Sequence, residues 1–451
     1  MRLHTLRRTL WLLLVLLGCQ DAQPAQRQAE AASAPADALA LVLAAHEGTH
    51  AIDERIRRLQ QRIPNSRVQA EELERLGWTF IARARELGDP GGYQLALQSA
   101  LAIEASQPHS HAAALLRGHA LQSLHHFAEA EQVARRLVAE RGLSFDFGLL
   151  GDVLVDRGAL DEATQNYQRM MDIRPDSQAY TRAAHVRYLR GDLSAALEAM
   201  RVAARAVSPR NRETFAWTWA KLAGYQLQAG DRDSALDSVR RALEIMPDSY
   251  HAQRMAAQIF WVKAQPEAAV EALRAAAARS PHPEALWMLS ETLERQGLGA
   301  QAAEVRAQLT ATGAREDPRT YALYLATTGQ QLEAAERLAR DELGQRADVF
   351  SYETLAWVQL ARGEVEAALF NARHSLVDGS SDPRLYYHAG MIAQRAGEAD
   401  LARGWLERAR SGADMLLPSQ REALAGQNER RESERSARRL EPNHRKGSDE
   451  P

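Results

Sequence analysis

The chain holds one cysteine, Cys19, in 451 residues, which excludes an intramolecular disulfide and any metal centre built from cysteine alone. β-Branched residues are thin beside Ala, Leu, Arg, Glu and Gln, so a large sheet is not expected. Charge of one sign is also missing. The formal net charge of -3, with acidic and basic residues interspersed, describes a solvated surface and argues against a nucleic-acid partner. No long apolar run occurs either: Leu10 to Leu17 is too short to cross a bilayer. No glycine-rich phosphate loop follows a strand pattern, and no G-x-S-x-G elbow is present, so an enzyme is not expected and no cofactor is implied.

What the chain does contain begins with a targeting pattern. Arg2, Arg7 and Arg8 give a positive start, the leucine run follows, and the run ends Leu16-Leu17-Gly18-Cys19. This resembles a bacterial lipoprotein signal, with residues 1–18 as the signal peptide and Cys19 as the lipid acceptor. The resemblance implies a membrane anchor through an N-terminal lipid and a body outside the cytoplasm. Gln20, and not an aspartate, follows the cysteine, which by the same resemblance favours an outer-membrane lipoprotein facing the periplasm. An ordinary secretory signal, cleaved to leave a soluble periplasmic protein, is the alternative. Residues 19–38, rich in Ala, Gln, Ser and Pro, read as a flexible tether, and 416–451, with its alternating Arg and Glu, as a disordered charged tail.

Between these ends the sequence repeats. Phe147-x-x-Leu150-Gly151-x-x-Leu154 is followed by Gly158, Ala163-x-x-x-Tyr167 and Pro175. Trp219-x-x-Leu222-Ala223 is followed by Gly230, Ala235-x-x-x-Val239 and Pro247. The interrupting glycine recurs at 158, 191, 230, 297, 329, 363 and 397, with Ala264 in one slot, at a spacing of about 34 residues. A small residue inside the first helix of each unit, such as Gly118, Gly151, Ala184 or Gly390, lets a neighbouring helix approach closely. Prolines 175, 247 and 281 stop the second helices. These features resemble the tetratricopeptide repeat family over about three quarters of the chain. The resemblance implies an all-α fold of tandem helix-turn-helix units stacked into a right-handed superhelical solenoid. The expected divisions are a leading helical segment at 39–66, a degenerate first repeat at 67–110, and about nine repeats over 111–415.

One motif carries metal chemistry in other settings. His46-Glu47-Gly48-Thr49-His50 matches H-E-x-x-H, which on a helix turns two imidazoles toward zinc, with Glu71 or Glu72 conceivable as a third ligand. A zinc peptidase is a distant alternative, because Gly48 weakens the helix and only about 27 residues separate His46 from Cys19, too few for a supporting sheet. The favoured reading is two solvent-facing histidines and no metal. Binding is expected instead on the concave face lined by the first helices. Projecting the helical period puts His119, Asp152, His185, Tyr188, Arg254, Gln258, Trp261, Trp287, Glu291, Trp357 and Tyr387 there. Arginine and aromatic residues among them are typical interface anchors, so the expected function is a non-catalytic scaffold for a protein or peptide partner in the envelope.

Overall fold

A computed structural model describes residues 35–427, and all regular structure among the described residues is helical. The expectations for the signal, Cys19, most of the tether and residues 428–451 lie outside the described residues. The body opens with α1 (Pro35–Leu43) and α2 (Ala51–Arg62). Ten antiparallel pairs follow, each a first and a second helix. They are α3 and α4 (Gln69–Leu87, Gly91–Ser106), α5 and α6 (His111–Ser123, Phe127–Glu140), and α7 and α8 (Ser144–Asp156, Leu160–Ile173). Next come α9 and α10 (Ser177–Leu189, Leu193–Ala206), α11 and α12 (Arg212–Gln228, Arg232–Ile245), and α13 and α14 (Tyr250–Val262, Pro266–Arg279). The last four are α15 and α16 (Pro283–Arg295, Gly299–Glu316), α17 and α18 (Pro318–Thr328, Leu332–Gln345), α19 and α20 (Val349–Ala361, Val365–Ser375), and α21 and α22 (Pro383–Arg395, Ala399–Ser411). The architecture is the tetratricopeptide-type solenoid that the repeat implies.

Local chemistry sets each boundary. The side chains of Ser110, Asp176, Asp192, Asp231, Ser249, Asp317, Asp348 and Asp382 accept hydrogen bonds from the first-turn amides of the helices they precede. Within most pairs, the residue in the glycine slot takes the left-handed conformation that turns the chain back. Gly158 and Gly297 both sit at φ +75, whereas Ala264 is forced to φ +56. Small residues then permit close packing. A side chain at Gly151 would run into the Tyr167 ring of the paired helix, and one at Gly390 into Leu406. Tyr167 and Leu406 each lie four residues after an alanine, Ala163 and Ala402, that is itself buried.

The stack winds far enough to touch itself. Arg279, at the end of α14, donates from Nε to the Glu86 carbonyl oxygen at 2.9 Å, and Arg346 lies 2.6 Å from Asp156. Those partners are 193 and 190 residues apart. The Ser381 amide donates to the Tyr188 carbonyl at 2.9 Å, and Gln228 donates to the Ser381 carbonyl. Successive turns of the superhelix therefore rest on one another, and the first helices surround an axial space.

The C-terminal segment lies inside that space. Gln258 donates to the Asp414 and Leu416 carbonyls at 2.7 and 3.0 Å, Arg232 pairs with Asp414 at 2.7 Å, and Glu291 accepts from the Ser419 amide and hydroxyl. Residues 416–427 fall within the stretch expected to be a disordered tail. They instead form a packed helix from 418 onward, because Leu416 and Leu424 bury against Tyr386 and Tyr387.

Candidate ligand-binding channel

Seven first helices, α9 to α21 in odd steps, converge on one cavity of about 400 Å³, closed on one side by Met415, Leu417 and Gln420. A volume of that size lies within the range of small-molecule sites. Each helix adds residues one or two turns apart on its inward face: His185 and Tyr188 from α9, Lys221 and Tyr225 from α11, His251, Arg254 and Gln258 from α13. From the far side come Glu284 and Trp287, Arg319 and Leu323, Phe350 and Glu353, and Arg384 and His388.

Most of these charges neutralise one another. Glu284 lies 3.3 Å from Arg254 and 3.5 Å from Arg384. Burial pushes its carboxyl up, but those two guanidinium groups dominate together and hold it at about 2. Asp382 pairs with Arg384 at 2.6 Å, and Glu353 with His388 Nδ1 at 2.7 Å, while His388 Nε2 faces the Gln420 amide at 3.1 Å. Asp317 caps α17 and lies 3.5 Å from His282, whose Nδ1 is buried with no hydrogen-bond partner among the described residues.

The α9 to α13 side is different. Lys221 and His251 keep solvent-accessible surface although protein surrounds them, so water reaches groups in a region of lowered dielectric. Burial, then Lys221, pushes the His185 imidazole down to about 4, and burial with Lys221 and Arg254 pushes His251 down to about 3. Both rings are neutral near pH 7. Burial and the Arg254 charge also lower the Lys221 ammonium below its usual value.

Of the residues expected on the concave face, His185, Tyr188, Arg254, Gln258 and Trp287 line this cavity. The others are occupied elsewhere. His119 sits edge-on to Trp78, with ring centroids 5.3 Å apart, and Asp152 is held by Arg182 and by the Tyr167 hydroxyl at 2.8 Å. Trp261 packs at the rim of the α11 to α16 core. Glu291 accepts from the Trp287 indole at 2.8 Å as well as holding Ser419. Trp357 donates to the Thr327 hydroxyl at 2.9 Å and lies 4.4 Å from the His388 ring, and Tyr387 is buried against Leu416 and Leu424. Lys221 and His251 lie outside the projected set, which follows the stripe through residues such as Arg254, Gln258 and Trp261. The lining extends further along these helices, to His251 one turn before Arg254 and to Lys221 one turn before Tyr225.

The H-E-G-T-H stretch does not lie on a helix. Residues 44–50 are irregular, and Gly48 takes φ +128. His46 Nε2 lies 2.8 Å from Asp53 Oδ1, the His50 amide donates to Asp53 Oδ2 at 3.0 Å, and Arg83 Nε donates to Asp53 Oδ1 at 2.8 Å. Burial pushes Asp53 up, yet Arg83 and His46 hold it below the usual carboxylate range. His46 is 11% exposed and engaged with Asp53, so the expectation of two solvent-facing histidines holds only for His50, at 51%. Glu72 is taken by Arg62 at 2.5 Å. Among the described residues, no group of three or more His, Cys, Asp or Glu could hold a metal.

No protein-family model and no curated protein matches the chain. Among solved structures, MamA is similar over 36% of this chain and 94% of its own, at 17% identity and a TM-score of 0.30. A human IFIT1 dimer with PPP-AAAA matches over 83% of this chain and 93% of its own, at 12% identity and a TM-score of 0.46. A tetratricopeptide repeat protein from Parabacteroides merdae matches over 55% and 96%, at 18% identity and a TM-score of 0.32.

Proposed function

We propose that the protein is a non-catalytic scaffold that holds a segment of a partner protein or peptide in its axial channel, tethered in the bacterial envelope by a lipid on Cys19. The convergence of seven first helices on one cavity, lined by aromatic, arginine and amide side chains, supports the binding half. The basic start and leucine run that end at Cys19 support the tether and the periplasm-facing outer-membrane location.

Intact mass of protein from the membrane fraction, beside a Cys19→Ala variant, tests the tether. A lipid-sized increment lost in the variant is the expected result, and an unmodified soluble product would contradict it. Leu323→Trp tests the channel by filling it. Partners that co-purify with the wild type are expected to be lost from this variant at unchanged helicity, and their retention would contradict channel binding.

A further inference from the structure

The cavity carboxylates are satisfied from within, but one cavity cation is not. Lys221 forms no ion pair among the described residues, and its ammonium lies 5.6 Å from the centroid of the Trp217 ring on its own helix. The charge that acts on it most is another cation, Arg254, itself 3.3 Å from Glu284, and the attraction of Glu284 and Asp382 does not outweigh burial and the Arg254 charge. A positive charge ringed by protein, repelled by a second one and held in no ion pair of its own, is stabilised by an anion that can reach it. Access is present, because Lys221 is solvent-exposed within the channel. An aromatic pair lies on the same wall: the Tyr188 and Tyr225 rings, 9% and 8% exposed, are stacked with centroids 5.0 Å apart, and Met255 also lines the cavity.

We propose that the axial cavity is a site for a small organic anion, whose charged head pairs with Lys221 and whose apolar body lies against Tyr188 and Tyr225. The volume of about 400 Å³ lies within the range of small-molecule sites, and the C-terminal segment bounds one side. A lysine ammonium is a point charge that does not select for planar geometry, so the head can be a carboxylate or a phosphate monoester. This site goes beyond the scaffold reading and does not require a protein partner.

Calorimetric titration of the full chain with 3-phenylpropionate, phenyl phosphate and the uncharged 3-phenylpropanamide tests it. At least one anion is expected to bind ten-fold or more tighter than the amide, and which one does so identifies the head group. Lys221→Met should bring the anion down to the level of the amide with no loss of thermal midpoint, while Lys221→Arg should keep the preference. If neither anion outbinds the amide in the wild type, or if the preference survives Lys221→Met, the site is overturned. Partner loss in Leu323→Trp is read separately, so the scaffold can stand where the anion site fails.

Discussion

The turns at Gly158 and Gly297 have the same backbone, both at φ +75, and the same place in the repeat. Their surroundings differ. A side chain at Gly297 would meet nothing within 4 Å among the described residues, whereas one at Gly158 would collide with the Ala347 carbonyl oxygen, on the loop before α19. Gly191 repeats the second case against the Gly379 carbonyl, and Gly363 and Gly397 repeat the first. One motif residue thus answers one demand late in the chain and two demands earlier. The late turns need only a left-handed residue, while the earlier ones also need the absence of a side chain so that the next superhelical turn can rest on them.

Substitution separates the two demands. Gly158→Ala combines left-handed strain with overpacking and is expected to destabilise by about 3 kcal/mol in denaturant unfolding. Arg346→Met keeps the turn but removes the partner of Asp156, whose carboxyl burial already pushes up against the pull of Arg346. A loss of about 2 kcal/mol is expected, because the largely buried aspartate keeps only the Gln122 amide and no cation as a partner among the described residues. Gly297→Ala carries the backbone strain alone and should cost about 1 kcal/mol by the same measurement. Equal losses at 158 and 297 would mean that the contact between superhelical turns does not form in solution. Ala264→Gly is the smallest effect and has the opposite sign. Relief of the strain at φ +56 outweighs the extra freedom of the unfolded chain, for a gain of about 0.5 kcal/mol seen as a raised thermal midpoint.

The same contrast marks what can be read from the sequence. Glycine spacing, mid-helix small residues and stop prolines act within a unit or between neighbours, so the helix pairs and their order are legible in the chain. Contacts between superhelical turns join residues about 190 positions apart, such as Arg346 and Asp156, and leave no trace in a 34-residue period. The C-terminal segment was hidden for another reason. Leu416, Gln420 and Leu424 keep a helical spacing of four, but the charged stretch that follows dilutes it. At the channel, His185, Tyr188, Arg254, Gln258 and Trp287 follow from helical projection. Trp357 and Tyr387 share the same period but pack between neighbours, a choice set by side-chain volume across the stack rather than by position along one helix.

Photocrosslinking from two phenylalanine positions tests the central claim, that the channel is the binding surface, most directly. Azidophenylalanine would replace Phe350, on the channel wall, and in a second protein Phe370, 62% exposed on a second helix. A partner adduct from position 350 and none from 370 is the result this account predicts. An adduct from 370 alone would place binding on the outer surface and contradict it.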